Sequence, residues 1–214
     1  MYVPSYSRAD DPAFAARLMR EHSFALLITH GEAGQVATHL PFLHDPAGDT
    51  PGVLWSHMAR ANPQWRDFAA GREVLVVFQG EHAYISPAMY PPGDGGPNVP
   101  TWNYEAVHAY GVPRVLDDAA AGQLLVRTMK HYEGAESGYE VPADFLRENA
   151  RAVVAFEIPI TRVEAKRKLS QNRRPEEVRA LIAALERSGD ASRSRLASAM
   201  RQANGLLPGP EILG

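Results

Sequence analysis

The chain predicts an α+β protein built on a small antiparallel barrel. Short apolar segments with period-two alternation recur along it, separated by Gly- and Pro-rich turns. Helical stripes interrupt these segments without the regular strand–helix alternation of a parallel sheet. No glycine-rich turn leads from a strand into a helix, which argues against a Rossmann unit and a P-loop. No internal repeat is present.

Asp10, Asp11 and Pro12 read as a helix start, and Phe14, Leu18 and Met19 supply its apolar stripe to about His22. Residues 24–29 form a short apolar strand, and Gly31 and Gly34 turn it into a second at 35–44, where Val36, Thr38 and Leu40 alternate with Ala37, His39 and Pro41. Residues 45–52 read as a loop and 53–58 as a strand. Asn62-Pro63 caps and opens a short helix to Gly71. Strands follow at 73–79 and 82–86 around Gly80. The stretch 87–100, with five Pro and three Gly, is too broken for regular structure. A long strand at 101–116 kinks at Gly111 and Pro113. Asp117 and Asp118 cap a helix with Leu124, Leu125 and Met129, a short helix covers 142–149, and the longest strand covers 151–166. From Arg174 the pattern is helical twice over, through Val178, Leu181, Ile182 and Leu185, then Leu196 and Met200. Residues 205–214 read as a frayed end.

The 214 residues, 45% hydrophobic and 22% charged, are ordinary globular composition. With no cysteine, disulfides, thiolate zinc sites, iron–sulfur clusters and cysteine nucleophiles are excluded together. No apolar run has the ~18 residues of a membrane span, and no signal peptide is expected; a cytoplasmic location is the expectation. Charge is unevenly spread. Residues 1–160 hold 11 Lys/Arg and 19 Asp/Glu, a balance of −8, whereas residues 161–214 hold 11 and 6, a balance of +5. A basic final quarter suggests an anionic neighbour.

Four stretches carry more polar and aromatic residues at strand ends than a core requires. Thr38 and His39 offer hydrogen bonds to a flat ligand across the sheet, although a strand histidine is ordinarily a partly buried surface residue. Ser56, His57, Arg60 and Asn62 sit where a strand runs into a helix N-terminus, whose free N–H groups and dipole seat anions. Asn62 caps that helix, and Arg60 adds a contact to phosphate or is solvated. Tyr84, Tyr90, Trp102 and Tyr104 flank the Pro-rich loop, where they wall a planar ligand or pack an interface between subunits. In the basic stretch 166–175, Ser170 or Asn172 can cap the next helix, Lys168 and Arg173 can point at an anion, and the embedded Ser170-Gln171-Asn172 is more specific than charge alone, although a solvated basic stretch is the ordinary reading. The eight histidines show neither HxH nor HExxH spacing, and no GxSxG elbow is present, so zinc and hydrolase chemistry lack support.

The segments Ala61-Asn62-Pro63-Gln64-Trp65, residues 74–87, Val99-Pro100-Thr101-Trp102-Asn103-Tyr104 and Lys168-Leu169-Ser170-Gln171-Asn172-Arg173 stand in the order and spacing of one family. Through them the chain, from Met1 to about Met200, resembles the FMN-binding negative transcriptional regulators of the PaiB (protease synthase and sporulation) type. The resemblance implies an FMN-binding split β-barrel with inserted helices and a C-terminal helical segment. It divides the chain into a barrel domain at 1–166, a basic loop and helices packed on the barrel at 167–205, and a tail at 206–214. It also implies a homodimer with flavin at the subunit interface and a cytoplasmic regulator or flavin-dependent redox protein. By motif position the FMN phosphate lies near Ser56, His57, Arg60 and Asn62 and the ring against Thr38 and His39. Trp102 is a further cofactor contact, and Lys168, Gln171 and Arg173 form a second charged wall. Two departures fall in one loop: Met89 stands where the family has Trp, and residues 92–97 read as an insertion, which bears on flavin retention. No basic recognition helix of a helix-turn-helix is legible, so DNA is an open partner. Two competing readings are a DNA-binding repressor using the basic C-terminal quarter, and a haem protein with His39, His57 or His82 as iron ligands.

Overall fold

The computed structural model describes residues 1–32, 34–48, 50–91, 98–134 and 142–206. The strands are β1 (Phe24–Gly31), β2 (Gly34–Pro41), β3 (Leu43–Ala47), β4 (Thr50–Ala59), β5 (Val74–Ile85), β6 (Thr101–Gly111), β7 (Arg114–Val115) and β8 (Val153–Lys168). They follow one another in the sheet as β2-β1-β5-β6-β8-β4-β3, with β7 on β8. Between them lie α1 (Pro12–Glu21), a 3-10 helix at Pro63–Ala70, α2 (Asp118–Glu133) and α3 (Ala143–Ala152), and after them α4 (Pro175–Glu186) and α5 (Ala191–Ala203). No helix among the described residues is long and apolar enough to cross a membrane. The chain forms two compact units from discontinuous segments. The larger unit comprises Asp11–Phe78 and Val107–Val163, and the smaller one Met1–Asp10, Gln79–Ala106 and Glu164–Gly214.

In the larger unit, β1 pairs antiparallel with β2 and with the start of β5, and β4 pairs antiparallel with β3 and β8. Alternation sends Leu54, Ser56 and Met58 of β4 inward. Phe42, Phe68, Phe78 and Phe156 meet edge-to-face in the core, with ring centroids 5.0–6.4 Å apart. Helix α1 starts as its sequence demands: the Asp11 side chain accepts from the Ala13 N–H at 2.9 Å, Pro12 follows, and Phe14, Leu18 and Met19 are buried. Asp117 caps α2 in the same way, and α2 and α3 bury Ala121, Leu124 and Ala150 with Leu43 and Ala155.

In the smaller unit, the ends of β5, β6 and β8 carry α4 and α5 on one face. Ile85, Leu169, Val178, Leu181, Leu185 and Met200 form the heart of that packing. Asp190 caps α5 at the Arg193 N–H. Helix α4 departs from expectation. Its first turn is closed by Glu177, which reaches back to accept from the Arg174 N–H at 3.0 Å, and Asn172 and Ser170 do not cap it. Ser170 instead adopts φ 66°, in the left-handed region, and its Oγ accepts from the buried amide of Asn103 at 2.9 Å.

Other boundaries differ for stated reasons. The strand expected at 35–44 is two, because the chain breaks at the buried Phe42, whose N–H donates to Ser23 O. Strand β3 then runs on to Ala47 and β4 begins at Thr50, shortening the expected loop. The two strands expected around Gly80 are one. Burial in β5 follows even positions to Gly80 and odd positions from Ala83, so the inward face changes without a break. Residues 92–97 and 207–214, the expected insertion and most of the expected tail, lie outside the described residues.

Gly111 marks a close backbone approach. A Cβ there would lie 2.2 Å from Pro159 O and 2.6 Å from Ile158 Cγ2. At Gly122, within α2, a Cβ would meet nothing within 4 Å. Gly111→Ala is therefore expected to destabilise the protein by about 1–3 kcal/mol. Gly122→Ala should leave stability unchanged or raise it by about 0.5–1 kcal/mol. Urea denaturation of the two variants checks the contrast.

Candidate functional site

Among the predicted residues of the larger unit, the structure joins Asn62 and Thr38 directly. The Asn62 Oδ1 accepts from the Gln64 N–H at 3.0 Å, capping the 3-10 helix, and its Nδ2 donates to Thr38 Oγ1 at 3.1 Å. One side chain thus ties the helix N-terminus to β2. Pro63 has no N–H, the Gln64 N–H goes to Asn62 Oδ1 and the Asn62 N–H donates to Ala59 O at 2.9 Å, so the start of this 3-10 helix is closed by its own cap. Gln64 is 2% exposed, and its Nε2 lies 3.3 Å from Leu27 O, 3.3 Å from Thr29 Oγ1 and 3.1 Å from Val36 O. Thr29 Oγ1 donates in turn to Asp67 Oδ2 at 2.6 Å. The candidate list omitted Gln64. Its only sequence signal was its place directly after Asn62-Pro63, because nothing in a sequence marks a glutamine as buried.

The remaining predicted residues of the larger unit have other partners. Ser56 is buried and its hydroxyl donates to Pro41 O at 2.7 Å, holding β4 to the end of β2. Arg60 turns toward the start of β8: Nε donates to Arg151 O at 2.7 Å and Nη2 to Val153 O at 2.8 Å, leaving Nη1 for an outside acceptor. His39 and His57 fall on the opposite faces of their strands from Thr38 and Ser56, because neighbours on a strand alternate. His39 is exposed and stacks on Phe24, with centroids 5.9 Å apart and planes at 24°.

The four other predicted residues lie in the smaller unit. Trp102 is exposed, beside Tyr84 and His82. Lys168 Nζ donates to Trp102 O at 2.6 Å and to Thr101 Oγ1. Gln171 is folded back on its own turn, accepting from the Leu169 N–H at 2.8 Å and donating to Arg167 O. The Arg173 guanidinium lies over the Tyr90 ring, 5.1 Å from its centroid.

Burial lowers the pKa of His57 below its ordinary value and leaves its Nδ1 buried without a partner. Burial is also the largest cause of a lowered pKa at His44, whose Nε2 bonds Pro51 O at 2.8 Å while Nδ1 is buried and unpartnered. Both rings are thus held neutral by the fold. A histidine of depressed pKa contributes stability that is complete above the unfolded value of about 6.5 and is lost as pH falls and the unfolded chain takes up the proton. The melting temperature is expected to fall between pH 7.5 and pH 5, and His44→Gln together with His57→Gln should flatten that fall, measured by thermal unfolding in matched buffers.

Residues 1–162 match the model of the "Putative FMN-binding domain" family. A Bacillus subtilis protein named protease synthase and sporulation protein PAI 2 is 33% identical over 204 residues, covering 94% of this chain and 96% of the relative. Two solved structures share the fold at a TM-score of 0.60. The FAD and heme binding protein of Mycobacterium smegmatis is 16% identical, with 81% of this chain and 79% of that one covered. The flavocytochrome Anf3 of Azotobacter vinelandii is 15% identical, with 84% and 78% covered. The α+β architecture is that of the split β-barrel. The match over residues 1–162 and a relative 33% identical over 94% of the chain make this chain a member of the FMN-binding domain family, with FMN as its cofactor.

Proposed function

We propose that the chain binds the FMN phosphate at the corner of β2, β4 and the 3-10 helix and works as a homodimeric, flavin-dependent redox protein with a regulatory role. The observation that carries this reading is the bond from Asn62 to Thr38 beneath the helix N-terminus. A phosphate needs hydrogen-bond donors and positive potential, with no carboxylate facing it. The corner offers the Thr38 hydroxyl, the Asn62 side-chain amide and Arg60 Nη1, and the neighbouring Asp67 carboxylate is engaged by Thr29. These residues fit the group. Bound FMN would supply electron transfer, and the protein supplies binding, orientation and electrostatics.

The outward face of β1 supports the dimer. Phe24 is exposed, and Leu26 and Ile28 are half-buried beside Leu75 and Val77 of β5, where a solvated face would be polar. The name of the Bacillus subtilis relative supports a regulatory role. Duplex DNA is a poorer partner than the +5 balance suggested. Five arginines of the basic quarter are paired: Arg162 to Glu73, Arg167 to Glu105, Arg174 to Glu176 and Glu177, Arg195 to Glu81 and Arg201 to Glu186. Haem is not favoured either, given the flavin family.

Asn62→Asp separates capping from phosphate binding, since aspartate caps equally well but sets a negative charge against the phosphate. Its melting temperature should match wild type while the FMN Kd rises more than about tenfold, a loss above ~1.4 kcal/mol. Thr38→Val should weaken FMN in the same direction. Flavin absorbance after desalting and a fluorescence titration read both; unchanged affinity in both variants would overturn the assignment. Phe24→Glu is expected to halve the mass seen in sedimentation.

A further inference from the structure

The strand ends of the smaller unit have a second face, opposite α4 and α5, whose composition is unlike an ordinary solvated surface. Trp102 is 53% exposed, with the Tyr84 ring 6.1 Å away edge-to-face and the His82 ring 6.3 Å away. One strand over, Lys168 spends two of its three N–H donors on Trp102 O and Thr101 Oγ1. Lys166, on the same face of β8, is buried between the rings of Tyr2 and Tyr104, 5.6 and 5.2 Å from their centroids, and donates to Tyr2 O. Among the described residues no carboxylate pairs with either ammonium, and the nearest acids of the unit hold Arg167, Arg195 and the N-terminus.

Exposed rings beside cations without counter-ions suit a ligand that is itself a planar ring joined to an anion. We infer that this face binds a nucleoside phosphate, the base stacked on Trp102 and Tyr84 and the phosphate on Lys168. Neighbouring strands lie about 4.8 Å apart, so the ring on β6 and the ammonium on β8 are a span that the base and phosphate of one nucleotide bridge. Stacking on an aromatic side chain tolerates any base, and the ammonium adds the charge. Burial and the positive charges of Lys166 and Arg173 disfavour the charged form of Lys168, a strain that a bound anion relieves. The assignment goes beyond the flavin reading, because this face has a ring and a cation of its own, in a different unit from the Asn62–Thr38 corner.

The test is calorimetric titration of the whole protein with ADP, repeated with one equivalent of FMN and with inorganic phosphate. Saturable ADP binding is expected, unaffected by FMN, with inorganic phosphate at least tenfold weaker. Trp102→Ala and Lys168→Met should each weaken ADP at least tenfold, and Lys168→Arg should retain it. Tyr84→Ala serves if a variant fails to fold. Absence of ADP binding overturns the inference, as do equal affinities in the variants. Displacement of ADP by FMN would assign the face to the flavin. A dimer that Trp102→Ala dissociates, with no ADP bound, would assign it to a second copy of the chain.

Discussion

A primary amide buried at Gln64 is the tie on which the candidate site rests. Removed from water, its N–H groups must find protein acceptors or cost the fold a desolvation penalty of about 1–3 kcal/mol. They find them on both neighbouring strands, at Leu27 O and Thr29 Oγ1 of β1 and Val36 O of β2. Because Gln64 is the second residue of the 3-10 helix, satisfying its Nε2 donors sets the helix start over those strands and brings Asn62 onto Thr38, while its Oε1 stays buried without a partner. Gly31 belongs to the same arrangement: a Cβ there would stand 2.1 Å from Asp67 Oδ1, the carboxylate that anchors the next turn of the helix to Thr29. The donor corner is thus held in place by groups that do not themselves face a ligand.

Charge follows a similar logic of local satisfaction. The basic final quarter is a property of the linear chain. In the fold Arg162, Arg167 and Arg195 find carboxylates from other segments while Arg174 and Arg201 pair within the quarter, and the Arg167–Glu105 pair is nearly buried, at 2.7 Å. Such a pair does little for net stability but becomes costly if one partner is removed. The two lysines of β8 escape this pairing. Lys166 and Lys168 are accommodated by carbonyl oxygens, a hydroxyl and aromatic faces, which leaves positive potential where the linear balance had spread it over some fifty residues.

Helix starts were legible because their determinants are local. Asp11, Asn62 and Asp117 each bond an N–H two or three residues on. Glu177 shows the limit: it closes the first turn of α4 from inside the helix, while Ser170, the expected cap, is drawn to Asn103, 67 residues away. Strand continuity was less legible. The change of inward face within β5 breaks period-two alternation just as a turn does, and a sequence window cannot tell the two apart. Adjacent candidates were also grouped too readily. Thr38 and His39, like Ser56 and His57, are neighbours in sequence and lie on opposite faces in the sheet.

The sequence by itself determined the α+β class, the capped helices, the absence of thiol chemistry and, through its four ordered motifs, the family and its flavin. These depend on composition, on interactions within a few residues and on motif order, all of which survive in a linear string. Only the tertiary structure decided that Asn62 meets Thr38, that Gln64 is buried, that Arg60 is turned onto the backbone of β8 and that the basic quarter is largely neutralised. The contacts of Asn62, Gln64 and Arg60, and the pairs of Arg162, Arg167 and Arg195, rest on partners 24 to 114 residues distant, and which distant groups meet is set by strand order and burial.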